Sequence, residues 1–162
     1  MSLSRRTLLS ATGAGILSAV AGTFPAMAQS PGTAYFSGIL VDVSALRQRG
    51  YGIQSDWVEQ DLVLALKRQF SGRLIRNAPR LLVQVTSVSL GTFAGAREKS
   101  SDFMEGTALI LDKSDAVLAE YPIFLALPTS SGGAWYLPDV DRNRVRSLSI
   151  AFAGWVQRKT NQ

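Results

Sequence analysis

An uncharged stretch from Leu8 to Phe24 decides how much of this chain is left to fold. Arg5 and Arg6 precede it, Pro25 breaks it, and Ala26-Met27-Ala28 places small residues two apart just before Gln29. A positive start, an apolar centre and a small-residue site are the marks of an export segment that is cut away. Cleavage after Ala28 removes residues 1–28 of the 162 and leaves 134. That length suits one domain with a proper core, and is short for two. Glycines and serines dilute the apolar stretch, and a spanning helix needs about 20 apolar residues. No second such stretch follows, so the expected product carries no membrane anchor after cleavage.

Two absences narrow the chemistry. With no cysteine, no disulfide forms even after export, so packing alone must hold the domain. A lipid anchor, which needs a cysteine at the cut, is excluded as well. With no histidine, serine–histidine and cysteine–histidine catalysis, zinc sites and an imidazole pH switch are also unavailable. Carboxylate chemistry, Ser–Lys or Ser–Tyr chemistry and oxygen-ligand metals remain open. The balance points to a protein that is not an enzyme and holds no cofactor or metal. Without Arg5 and Arg6, 15 of the 17 Lys and Arg remain against all 12 acids, a formal charge of +3. That mild, interspersed charge gives no reason to expect nucleic acid as a partner.

The segment Ser4-Arg5-Arg6-Thr7-Leu8-Leu9 resembles a twin-arginine (Tat) signal, whose pattern is Ser-Arg-Arg-x-Phe-Leu-Lys. Ser4, Arg5, Arg6 and Leu9 match, while Leu8 stands in place of Phe and Ser10 in place of Lys. The resemblance implies folding in the bacterial cytoplasm, export as a folded domain, and a periplasmic or secreted product. A general secretory signal that happens to carry two arginines is the alternative.

Residues 29–33 (Gln-Ser-Pro-Gly-Thr) read as a flexible leader, 34–158 as one domain and 159–162 as a polar tail. Ala34 to Val43 is rich in aromatic and β-branched residues and predicts a strand. Ser44 to Gly52 reads as a loop. A helix is expected from Ser55, a candidate cap, to a left-handed stop at Gly72. Val58, Leu62, Ala65, Leu66 and Phe70 supply its apolar face. Arg80 to Leu90 is a second strand, followed by a mobile connection from Gly91 to Ser101. Phe103 to Leu111 and Ala116 to Leu127 form a hairpin around Asp112-Lys113-Ser114-Asp115, and Pro122 assigns the latter strand to an edge or a bulge. After a long loop from Pro128 to Val140, Asp139 or Asp141 caps a last helix to about Gln157. Its buried stripe is expected to be Val145, Leu148, Phe152, Trp155 and Val156, with Ser149 outward.

The order β-α-β-β-β-α predicts an α+β two-layer sandwich: a four-stranded, mainly antiparallel sheet with both helices on one face. This order and size resemble small bacterial envelope domains, among them the lipoprotein that plugs the lipopolysaccharide-transport barrel. The resemblance implies an accessory role in the cell envelope; the absent lipid-anchor cysteine is a departure from those tethered relatives.

Three constellations are candidates for function. Trp135, Tyr136 and Leu137 follow two glycines on a loop, a pattern that suits docking to an envelope protein or stacking on a sugar. The alternative is that Trp135 and Leu137 seal one end of the core. Arg142, Arg144 and Arg146 crowd the start of the last helix, the end where the helix dipole already opposes cations. They are candidates for a small anionic ligand, joined by Arg47 and Arg49 if the first loop lies near, unless Asp139, Asp141 or other acids neutralise them. The carboxylate pairs Asp102 with Glu105 and Asp112 with Asp115 leave a carboxylate hydrolase as a third possibility, although turn chemistry accounts for the second pair.

Overall fold

The structure is a computed structural model that describes residues 33–162 apart from 95, 96 and 99. The export segment, with Arg5, Arg6, Ala26 and Ala28, lies outside the described residues, as does the leader through residue 32. Strand β1 (Gly38–Asp42) is followed by helices α1 (Ser44–Gln48) and α2 (Gly52–Gln69), then strand β2 (Arg80–Ser89). A two-residue ribbon, β3 (Phe93–Ala94) with β4 (Arg97–Glu98), precedes strands β5 (Asp102–Leu111) and β6 (Val117–Leu127). A 3₁₀ turn (Thr129–Gly132) leads to helix α3 (Val140–Thr160).

The main sheet has the order β1-β2-β5-β6. Two of its pairings are antiparallel, and β1 runs parallel to β2 because α1 and α2 bridge them as a crossover. The expected α+β sandwich is therefore present, with a mixed sheet. Pro122 lies in the edge strand β6, where a missing ladder donor costs least.

Alternation along β2 turns Leu81, Val83, Val85 and Val88 toward the helices, and Met104, Ala108 and Ile110 of β5 join them. Val58, Leu62 and Leu66 from α2 and Val145, Leu148, Phe152 and Val156 from α3 complete one core. Among the described residues no helix covers the opposite sheet face; there Leu40, Leu82 and Leu109 stand in register across three strands.

Several local expectations shift. The strand from Ala34 divides in two: Phe36 bridges Leu74, while β1 proper starts at Gly38. Phe36 is buried edge-on against Phe70, with ring centroids 5.3 Å apart. The loop expected at Ser44–Gly52 is mostly α1, begun where Asp42 Oδ1 accepts from the Ser44 N–H at 2.8 Å. Helix α2 starts at Gly52, so Ser55 is inside it and caps nothing; its hydroxyl donates to the Gly52 carbonyl at 2.6 Å. The stop at Gly72 holds, with φ of 77°. Asp139 occupies the α3 cap position without a side-chain cap bond, and α3 continues to Thr160, through half of the expected tail.

The stripe of α3 is rotated from its expected setting. Ser149 and Ala153 are buried, whereas Trp155 lies at the margin with the Arg158 guanidinium 4.1 Å from its ring centroid. Hydrophobicity alone ranks these residues the other way. Close helix packing favours a small side chain over a large apolar one, and Trp155 is too bulky for the seam.

Candidate functional site

The end of the sheet where β2 and β6 finish and α3 begins gathers most of the candidate residues. From Leu127 the chain turns through Pro128 into the 3₁₀ turn, held by the Ser131 N–H on the Pro128 carbonyl and the Gly133 N–H on the Ser130 carbonyl, both at 3.0 Å. Ser147 Oγ of α3 donates to the Ser131 carbonyl at 2.9 Å. A side chain at Gly132 has no room, since its Cβ falls 2.7 Å from Arg144 N and 2.9 Å from Arg144 Cα. The loop base is thus pressed directly onto the α3 backbone.

Trp135, Tyr136 and Leu137 project from that base and stay on the surface, 48, 72 and 45 % exposed. Trp135 and Tyr136 contact each other edge to face, with centroids 5.8 Å apart, and the Leu137 N–H closes a turn on the Ala134 carbonyl at 3.0 Å. They do not seal the core. The open sheet face adds a second aromatic pair at the same end, Phe103 stacked with Phe124 at 5.9 Å. Sequence reasoning missed this pair; the signal available was Phe124, which falls on the polar phase of the β6 alternation yet is large and apolar.

The three arginines do not converge. Residues two apart on a helix point about 200° from one another, so Arg144 faces away from Arg142 and Arg146. Arg142 reaches α2, where its guanidinium forms a two-pronged pair with the buried Asp61 (Nη2 to Oδ1 2.9 Å) and covers the Trp57 ring at 5.7 Å. That pairing outweighs desolvation and raises the Arg142 pKa above its ordinary value. Arg146 stays exposed, its Nε 4.0 Å from Asp61 Oδ1.

Arg144 is buried. Its Nε donates to Asp102 Oδ2 at 2.9 Å, its Nη2 to Asp102 Oδ1 and to the Gly91 carbonyl (2.6 Å), and its Nη1 to Asp141 Oδ1 at 2.8 Å. Asp102 Oδ1 also accepts from the Gly91 N–H at 2.8 Å. Burial works against the Arg144 charge, but the bonds to Asp102 and Asp141 prevail and its pKa is raised. The sequence suggested Arg144 as an anion ligand; the structure uses it to tie α3 to β5 and to the segment after β2, under the aromatic loop.

Arg47 does not join the group either. Its guanidinium bonds Asp56 at 3.2 Å and Glu59 at 2.6 Å, and both carboxylates hold its pKa up. Between α2 and α3 a groove of about 390 Å³ remains, lined by Asp61, Leu64, Ala65, Arg68, Arg146 and Ile150 among others. Of the carboxylate pairs, Asp102 is buried beneath the helices while Glu105 is exposed, so the two form no shared cleft. Asp112 accepts from the Ser114 hydroxyl and the Ala116 and Ser114 N–H groups, and Asp115 has φ of 67°: both serve the hairpin turn. Among the described residues, no group of three or more carboxylates is arranged to hold a metal ion. Among them, too, no helix is long and apolar enough to cross a membrane.

No family model matches the chain, and no curated protein matches it. It is similar in structure to a Xanthomonas campestris protein of the family model DUF330, with 19% identity, 76% of this chain and 84% of that one covered, and a TM-score of 0.48. A minor lipoprotein from Acinetobacter baumannii gives 10% identity, 78% and 94% coverage and a TM-score of 0.44. An uncharacterised protein gives 16% identity, 79% and 93% coverage and a TM-score of 0.41.

Proposed function

We propose that this chain is an exported, non-catalytic accessory module of the bacterial cell envelope that docks onto a protein partner through Trp135, Tyr136 and Leu137. One observation carries the reading: three large apolar side chains are held in solvent on a loop whose base is fixed to α3. Ordering such a loop on binding costs little because it is ordered already, and exposed Trp and Tyr are the side chains that anchor interfaces. The stacked Phe103 and Phe124 extend the apolar area at the same end. Arg5-Arg6, the uncharged stretch and Ala26-Met27-Ala28 support export into the periplasm. Cross-linking in the periplasm should recover a defined envelope protein, and Trp135→Ala with Tyr136→Ala should abolish its recovery while leaving the melting temperature within a few degrees. Equal recovery by the double variant overturns the reading.

The groove between α2 and α3 favours a second reading, a site for a small anionic ligand with an apolar body. Arg68 and Arg146 line it together with Leu64 and Ile150, and Arg142 already balances Asp61. Calorimetry with inorganic phosphate and with medium-chain carboxylates tests this, Arg146→Ala being expected to remove the heat. No heat with either ligand class rules it out.

A further inference from the structure

The end of the sheet opposite the Trp135 loop carries positive charge that the fold does not balance. Helices α2 and α3 finish side by side there, since Gln157 Nε2 of α3 donates to the Gln69 carbonyl of α2 at 2.9 Å. Lys67 and Arg68 end α2, Arg158 ends α3, Arg73 and Arg76 lie in the loop to β2, and Lys113 lies in the β5–β6 turn. Lys113 Nζ donates to Asn77 Oδ1 at 3.3 Å and Arg73 Nη1 to Asn161 Oδ1 at 3.4 Å, so these segments form one continuous surface. None of the six cations has a described carboxylate within ion-pair distance. Two acids of this end are already engaged: Asp115 pairs with Arg80, and Asp112 holds the turn. Helix dipoles account for cations at the ends of α2 and α3, but not for Arg73, Arg76 or Lys113.

Apolar side chains stand among these charges. Leu74 and Ile75, between Arg73 and Arg76, are 48 and 49 % exposed. Their backbone is fixed, with the Phe36 N–H on the Arg73 carbonyl at 3.0 Å and the Ile75 N–H on the Phe36 carbonyl at 2.9 Å. The chain also enters the domain here, where the Ala34 N–H donates to Asn161 Oδ1 at 3.2 Å.

We infer that this end docks onto a bilayer surface bearing anionic phospholipid headgroups, with the cations on the phosphates and Leu74 and Ile75 at the boundary with the acyl chains. Clustered Lys and Arg around a small apolar tip match the charge and the shallow polarity gradient of such a surface. Strand β6 spans the sheet from this end to the other, so docking leaves the Trp135 loop facing away from the lipid. The inference stands apart from the partner reading.

Vesicle co-sedimentation tests it on the protein as it accumulates in the cell. The two lipid compositions are phosphatidylcholine alone and phosphatidylcholine with about one-third phosphatidylglycerol. Binding is expected only to the anionic vesicles and should fall as salt rises. Neutralising Lys67, Arg76 and Lys113 to Gln should weaken it about a hundredfold, at about fivefold per cation. Leu74→Ser should weaken it further without altering the salt dependence, and a thermal melt checks that each variant is folded. Equal binding to neutral vesicles, or undiminished binding by the folded triple variant, overturns the inference. Conversion of an oligomer to a monomer by the triple variant also overturns it, assigning the surface to a second copy of the chain. Trp135→Ala should bind vesicles normally, so failure here and failure of the partner reading are separate results.

Discussion

At the Trp135 end Arg47, Arg142 and Arg144 each meet one or two carboxylates, whereas at the other end Lys67, Arg76 and Lys113 meet none among the described residues. Both ends are built from loops and helix termini of one sheet, so the contrast lies in what each does with charge. The first pairs Arg142 and Arg144 with the buried Asp61 and Asp102 and Arg47 with exposed acids, and it presents Trp135, Tyr136, Leu137, Phe103 and Phe124 as an apolar surface. The second pairs Arg80 with Asp115 but leaves Lys67, Arg76 and Lys113 without a described carboxylate near Leu74 and Ile75. A count of arginines therefore does not locate an anion site. Arg142, Arg144 and Arg146 look like one by density, yet two of the three hold the fold together.

The largest effect that sharpens this contrast comes from removing one member of the buried pair. Asp102→Ala leaves Arg144 charged and buried without its main partner, and should lower the unfolding free energy by about 3–5 kcal/mol in urea titration. The Gln variants of Lys67, Arg76 and Lys113 should each stay within about 0.5 kcal/mol in the same titration. A loss as large at Arg76 as at Asp102 breaks the distinction between the two ends.

A smaller effect concerns acid. Asp42, near the Trp135 end, has its pKa lowered below 3.8, first by the Ser44 N–H and hydroxyl, and Asp112, at the basic end, first by the Ser114 hydroxyl. A carboxylate whose folded pKa is depressed contributes stability that is present above its unfolded value and is lost as pH falls through the folded value. Stability should therefore decline modestly below about pH 4. Carboxyl carbon shifts followed by NMR should titrate with midpoints below 3.8 at both residues. A midpoint above that value at Asp112 would show that the hairpin turn does not depend on its carboxylate.

Much of the fold was readable without coordinates because its causes are local. The α2 face of Val58, Leu62 and Leu66, the stop at Gly72, the hairpin turn around Asp112 and the edge assignment of Pro122 each depend on residues a few positions apart. The expectations that moved involve competition between neighbours on different elements. Ser149 is buried and Trp155 is at the margin because the seam between helices selects size, and a one-dimensional hydrophobicity pattern does not contain the partner helix. Of the candidate site, the Trp135 loop was legible as three large apolar residues after two glycines, outside any periodic element. That they stay exposed was not, since the same residues could have closed the core.

The order of the four main strands and two long helices, the absence of disulfides and the exclusion of imidazole and thiol chemistry follow from the chain alone, because periodicity, composition and short-range turn chemistry act along it; α1 and the β3–β4 ribbon do not. The partners of the charges are set by the packed fold. Asp102 and Arg144 are separated by 42 positions, and Asp61 and Arg142 by 81. The cations of the basic end come from four separate segments. Electrostatic energy depends on distance through space and on burial, and neither is defined until the sheet has brought those segments together.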